Sequence, residues 1–124
     1  MHGIIIPKRR SASLNNTVYK TSAGAASWVK VARVANLTAA VQELKDNGVW
    51  IYGTDASGDC IYKTDLTGGI AFVIGSEGFG IGRLIKESCD FLVSLPMYGQ
   101  VNSLNASVAA GICMYEAVRQ RKII

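Results

Sequence analysis

Short apolar runs alternate with stretches of helical period along this chain. Gly3-Ile4-Ile5-Ile6 is a β-branched run closed by Pro7, the pattern of a strand covered on both faces. The basic Lys8-Arg9-Arg10-Ser11 follows, and Ser13 or Asn16 is placed to cap a short helix through Val18 and Tyr19. Ser22-Ala23-Gly24-Ala25 is small and turn-like. Over residues 28–34, Val29, Val31 and Ala32 interleave with Lys30 and Arg33, which predicts a half-exposed strand. Leu37, Ala40, Val41 and Leu44 then recur at helical spacing, with Asn36 as N-cap and Gly48 at the stop.

Residues 49–53 predict a strand, and residues 54–69 a polar, glycine-dotted connection with a short extended piece at Ile61-Tyr62, expected to be the variable surface. Residues 70–74 form a continuous apolar strand ending at Gly75, followed by a glycine-rich loop and a helix over 81–88. A strand over 91–95 stops at Pro96. An irregular loop runs from there to Ser103, and a long helix over 105–121 closes the pattern. Strands alternating with helices predict an α/β domain with a mainly parallel sheet. The length of 124 residues suits one compact domain.

Composition narrows the classes. Hydrophobic residues make up 49% and charged residues 18%, the balance of a folded globular chain. No apolar run approaches the roughly 20 residues of a membrane-spanning helix. The basic residues follow the first apolar run, whereas a secretory signal carries them ahead of it. A net charge of +4 leans toward a polyanionic partner. Cys60, Cys89 and Cys113 are odd in number and widely spaced, which points to a reducing cytoplasm and to neither a disulfide framework nor a zinc site. With His2 as the single histidine, serine–histidine and histidine–metal chemistry have little to work with, and no metal is expected.

The segment Gly75-Ser76-Glu77-Gly78-Phe79-Gly80-Ile81-Gly82 lies between a strand and a helix, where α/β folds place small-molecule sites. It is not a dinucleotide fingerprint: the glycine series lacks the final two-residue gap, and Asp90 stands at the start of the next strand rather than at its C-terminal end. No Gly-Lys-Ser/Thr follows, so a P-loop is ruled out as well. A ligand loop and a plain glycine turn both remain open on local pattern.

Three stretches in register carry a family resemblance: Val73-Ile74-Gly75-Ser76-Glu77-Gly78 with Gly80, Val93-Ser94-Leu95-Pro96-Met97, and Ser103-Leu104-Asn105-Ala106-Ser107-Val108-Ala109. They closely resemble the second and third motifs of the SpoU/TrmH branch of the SPOUT methyltransferases, particularly the RlmB-like enzymes of 23S ribosomal RNA. Tyr115-Glu116-Ala117-Val118-Arg119-Gln120-Arg121 looks like the family's terminal helix, and weaker similarity reaches residues 3–11, 22–25 and 49–51.

The resemblance implies an α/β fold with a deep C-terminal trefoil knot, the chain after Leu95 threading through a loop in defiance of ordinary connection rules. It implies S-adenosylmethionine bent into that knot, with Gly75, Leu95 and Leu104 at the family's contact positions. Met97, Leu95 and Leu104 offer apolar walls for an adenine, and Gly75, without a Cβ, permits close backbone approach. Each of these residues has a core-packing explanation too. Glu77 and Asn105 match polar positions of the family's catalytic region, with Ser103 beside them. Glu77 equally favours a helix N-terminus, and Asn105 and Ser103 equally serve as caps. Lys8, Arg9, Arg10 and Arg83 are candidates for RNA phosphate contacts, or for simple solvation. Family members dimerise through the terminal helix, where Ala106, Ala109, Ala110 and Gly111 allow close packing.

The parent reaction would be in-line attack of a ribose 2′-oxygen on a donor methyl group, with positioning supplying much of the rate and no metal required. The partner implied is RNA, ribosomal before transfer RNA. One departure stands out. The family's first motif, with an Asn and an Arg thought to activate the 2′-hydroxyl, corresponds to a place ahead of Met1, as does the N-terminal RNA-binding domain of RlmB-like members. The expectation is therefore a methyltransferase domain over residues 1–124, truncated at its N-terminus, that binds cofactor but transfers methyl poorly. A non-catalytic RNA-binding or dimerisation module, a transfer RNA 2′-O-methyltransferase and a generic nucleotide-binding α/β enzyme are the alternatives.

Overall fold

The computed structural model describes residues 2–8, 29–75, 80–98 and 105–122, and the short helix expected over residues 13–19 lies outside them. The chain divides into two compact units, Met1–Ala40 and Val41–Ile124.

In the first unit, β1 (Gly3–Pro7) pairs in parallel with β2 (Lys30–Val34), Ile5 opposite Ala32. Pro7 is the last residue of β1, and the Lys8 N–H still reaches the Val34 carbonyl at 2.8 Å. The isoleucine run is not sheathed on both faces as its sequence suggested, since Ile4 and Ile5 are 40% and 39% exposed. An apolar run reports what a strand can bury, not what stands against it. The β2 strand is half-exposed as predicted but does not alternate: Val31 and Val34 are partly buried, whereas Ala32 is exposed along with Lys30 and Arg33.

Helix α1 (Leu37–Asp46) begins where Asn36 Oδ1 accepts the Ala39 N–H at 3.1 Å. It ends in a Schellman turn: the Val49 N–H bonds the Leu44 carbonyl and the Gly48 N–H the Lys45 carbonyl, both at 3.0 Å. Gly48 has φ 83°, a left-handed conformation that costs other residues strain.

The second unit is built on a three-stranded parallel sheet of order β4-β3-β5. Its central strand β3 (Trp50–Cys60) runs much further than the predicted 49–53. Thr54 faces Val93, the next four residues bulge out, and Asp59 returns to the same partner before Cys60 meets Ser94. A 3-10 turn (Ile61–Lys63) stands where an extended piece was expected. The supposed variable surface also supplies core: Ile61 and Leu66 are fully buried, with Tyr52, Val93, Cys113 and Ala117. Burying such side chains contributes on the order of 1.5–3 kcal/mol each. β4 (Ile70–Val73), α2 (Arg83–Ser88) and β5 (Phe91–Ser94) follow within two residues of their predicted limits.

Helix α3 (Ala106–Arg121) lays Cys113, Glu116 and Ala117 onto this unit's interior. Its last turn is fastened by side chains: Gln120 Nε2 donates to the Thr64 carbonyl at 2.8 Å, Gln120 Oε1 accepts the Leu66 N–H at 2.7 Å, and Arg121 donates to the Leu66 and Gly68 carbonyls. The connection over residues 64–68 thus takes its order from α3.

Candidate functional site

Parallel pairing puts the C-terminal ends of β4 and β5 on one edge of the sheet, either side of β3. Gly53 faces both Val73 and Leu92, so Gly75 and Leu95, just beyond the two strands, leave the sheet on that edge. Two strand spacings separate such positions by about 10 Å.

Gly75 is partly buried, and a Cβ built on it would lie 2.5 Å from the carbonyl carbon of Gly80 and 2.8 Å from its Cα. The start of the glycine-rich segment therefore touches its far end, and only a residue without a side chain fits. The glycine serves the loop's own closure, whatever else approaches it. Leu95 is partly buried and packs on the core cluster with Ile70, Phe72 and Ile74. Met97 and Pro96 are partly buried, while Tyr98 is 92% exposed.

Asn105 is the N-cap of α3. Its Oδ1 accepts the Ser107 N–H at 2.9 Å, the Ser107 hydroxyl at 2.5 Å and the Val108 N–H at 3.4 Å. The capping role is thus filled by the oxygen, which leaves the amide nitrogen as a donor for other work. Arg83 opens α2 with its side chain 82% exposed, 4.0 Å from Glu87, and such a surface pair holds it weakly. Lys8 is exposed, and its carbonyl accepts from Arg33. Glu77, Ser103, Leu104, Arg9 and Arg10 lie outside the described residues.

Sequence reading passed over the residue that links β3 to this edge. Thr54 Oγ1 donates to the Val73 carbonyl at 3.1 Å and accepts from the Gly75 N–H at 3.5 Å. The available signal was a hydroxyl directly after the glycine that closes a predicted strand. Next to it, Asp55 accepts from the Ser57 N–H at 3.0 Å and pairs with Lys86 of α2 at 3.4 Å. Those hydrogen bonds from Ser57, with Lys86 nearby, hold the Asp55 carboxyl below its usual range.

A groove of about 570 Å³ runs along α3, lined by Tyr62, Val108, Gly111, Ile112, Tyr115, Glu116 and Arg119. It is separate from the edge just described, since neither Gly75, Leu95 nor Met97 lines it. Among the described residues no group of three histidine, cysteine or acidic side chains could hold a metal ion, and no helix is long and apolar enough to cross a membrane.

Residues 1–115 match the SpoU rRNA Methylase family. Over 121 residues the chain is 55% identical to a Bacillus subtilis protein named as a TrmH family tRNA/rRNA methyltransferase, YacO, covering 97% of this chain and 49% of that one. It is 49% identical over 124 residues to the 23S rRNA (guanosine-2′-O-)-methyltransferase RlmB of Ralstonia nicotianae, covering 99% of this chain and 50% of that one. It thus spans about half the length of the curated relatives it matches. Among solved structures, the SpoU methyltransferase AviRb of Streptomyces viridochromogenes in complex with AdoMet superposes with a TM-score of 0.84 at 32% identity, covering 97% of this chain and 50% of that one. The TrmH/SpoU tRNA modifying enzyme of A. aeolicus gives 0.83 at 31% identity, covering 95% and 61%.

Proposed function

Since the chain belongs to the SpoU rRNA Methylase family, we propose that it is the S-adenosylmethionine-binding domain of a cytoplasmic RNA methyltransferase that modifies a ribose 2′-hydroxyl, on 23S ribosomal RNA. The observation that carries this reading is the 49% identity, over 99% of this chain and 50% of the relative, to a protein named for guanosine 2′-O-methylation of 23S rRNA.

The residues present suit such a ligand. Gly75 offers a backbone carbonyl, its N–H being held by Thr54, and Leu95 and Met97 offer partly exposed apolar surface on the same sheet edge, while Leu104 matches the family's third contact position. When bound, S-adenosylmethionine supplies a methyl group made electrophilic by its sulfonium. The chain's own part is to orient and to donate hydrogen bonds: the Asn105 amide nitrogen, free of the capping task, together with Glu77 and Ser103, would hold the acceptor ribose in line. Lys8, Arg9, Arg10 and Arg83 would meet phosphates, which position RNA without reading its sequence.

The segment between Leu95 and Asn105 passes through the family's trefoil knot in this reading, and the domain forms a homodimer through α3. Exposed Val108, Met114, Tyr115 and Val118 support that interface, as does the open space around Gly111, where an added Cβ would meet nothing within 4 Å.

Calorimetric titration with S-adenosylhomocysteine, NAD and ATP tests the ligand. Binding of the first alone is expected, and binding of NAD or ATP in its place overturns the assignment. Labelled methyl transfer to ribosomal and transfer RNA, followed by nucleoside analysis, tests the acceptor. The expected product is a 2′-O-methylated nucleoside in ribosomal RNA, whereas base methylation or a transfer RNA product rejects the stated substrate.

A further inference from the structure

We infer that Thr54 is a positioning residue for the cofactor site, its hydroxyl fixing the backbone of Gly75; this role rests on the reading of Gly75 given above. The β3–β4 ladder ends at the pair of Gly53 and Val73. In a parallel ladder, a residue of one strand donates to the carbonyl before its opposite number and accepts from the N–H after it. The residue-by-residue register with β4 stops at Gly53, and after Thr54 the strand β3 turns out into its four-residue bulge.

The Thr54 side chain adds a hydroxyl at this end of the ladder. Its hydroxyl donates to the Val73 carbonyl at 3.1 Å and accepts from the Gly75 N–H at 3.5 Å, the two groups that flank Ile74. One partly buried hydroxyl thus ties the end of β3 to the glycine whose neighbour in space is Gly80. The bulge that frees Thr54 for this is itself braced, by Ser57 on Asp55 and by Asp55 on Lys86 of α2. Valine has the same shape but neither donates nor accepts, while serine does both.

The test compares wild type, Thr54→Val and Thr54→Ser by calorimetry with S-adenosylhomocysteine, with melting curves to verify folding and deuterium exchange at the Gly75 amide as a local readout. Thr54→Ala replaces the valine variant should that one fail to fold. Losing the hydroxyl should weaken affinity about fivefold, the consequence of one net hydrogen bond, and speed Gly75 exchange. Serine should restore both to within about twofold of wild type. Unchanged affinity and exchange in the valine or alanine variant overturns the role of Thr54 while leaving the ligand assignment intact. So does a serine variant as weak as the hydroxyl-free one. Wild-type protein that binds no S-adenosylhomocysteine overturns the reading of Gly75 itself, and this role with it.

Discussion

Glu116 shows how much one residue's setting decides. Its side chain is 4% exposed, yet it stays charged, because Arg119 donates to both carboxylate oxygens at 2.8 Å and Gln120 donates at 2.8 Å as well. Those hydrogen bonds, Arg119 first, pull its pKa down to about 2 against the opposing effect of burial. A carboxyl whose folded pKa lies below its unfolded value of 4.5 contributes stability that is complete above about pH 4.5 and is lost as pH falls toward 2. Melting temperature should therefore decline between pH 5 and pH 2. Glu116→Gln should melt lower at neutral pH and show a shallower acid limb, as calorimetric scans across that range would reveal. Parallel acid limbs in the two proteins would assign the effect to other carboxylates. The spacing of Glu116, Arg119 and Gln120 was visible in the predicted helix; that Gln120 would also clasp Thr64 and Leu66 was not, because those partners lie more than 50 residues away in sequence.

Among the elements, helix ends were the most legible features and connections the least. Asn36, Gly48 and Asn105 all act at the helix ends where local chemistry placed them, since capping depends on groups within four residues. Asn105 also permits a separation of roles. Asn105→Ala removes the cap of α3 and should cost about 1 kcal/mol, lowering the melting temperature by several degrees. Asn105→Asp caps equally well but gives up the amide donor. It should keep the wild-type melting temperature and S-adenosylhomocysteine affinity while reducing labelled methyl transfer. Undiminished transfer by the aspartate variant would restrict Asn105 to capping. By contrast, the length of β3 and the burial of Ile61 and Leu66 escaped a reading that took glycine and polar residues as loop signals. A strand with a wide bulge spends polar residues in the bulge and resumes pairing afterwards.

At the scale of the whole molecule, the proposed dimer makes the plainest prediction. Sedimentation should find two copies in wild type and one in Tyr115→Glu, because Tyr115 is 80% exposed at the groove along α3 and a carboxylate there would be desolvated in any symmetric interface. A wild type that sediments as a monomer at all concentrations would remove the interface from the reading.

Taken by itself, the sequence determined the α/β class, the parallel pairing, most element positions and the motifs that mark the family, since each of these follows from local periodicity, caps or contiguous residues. Tertiary structure alone decided that β3 extends through a bulge, that Ile4 and Ile5 stay partly exposed, that Leu66 is core, and that Thr54 reaches Gly75 across 21 positions. Those outcomes depend on which distant groups share a hydrogen bond or exclude water from a face. Position along the chain does not encode that proximity.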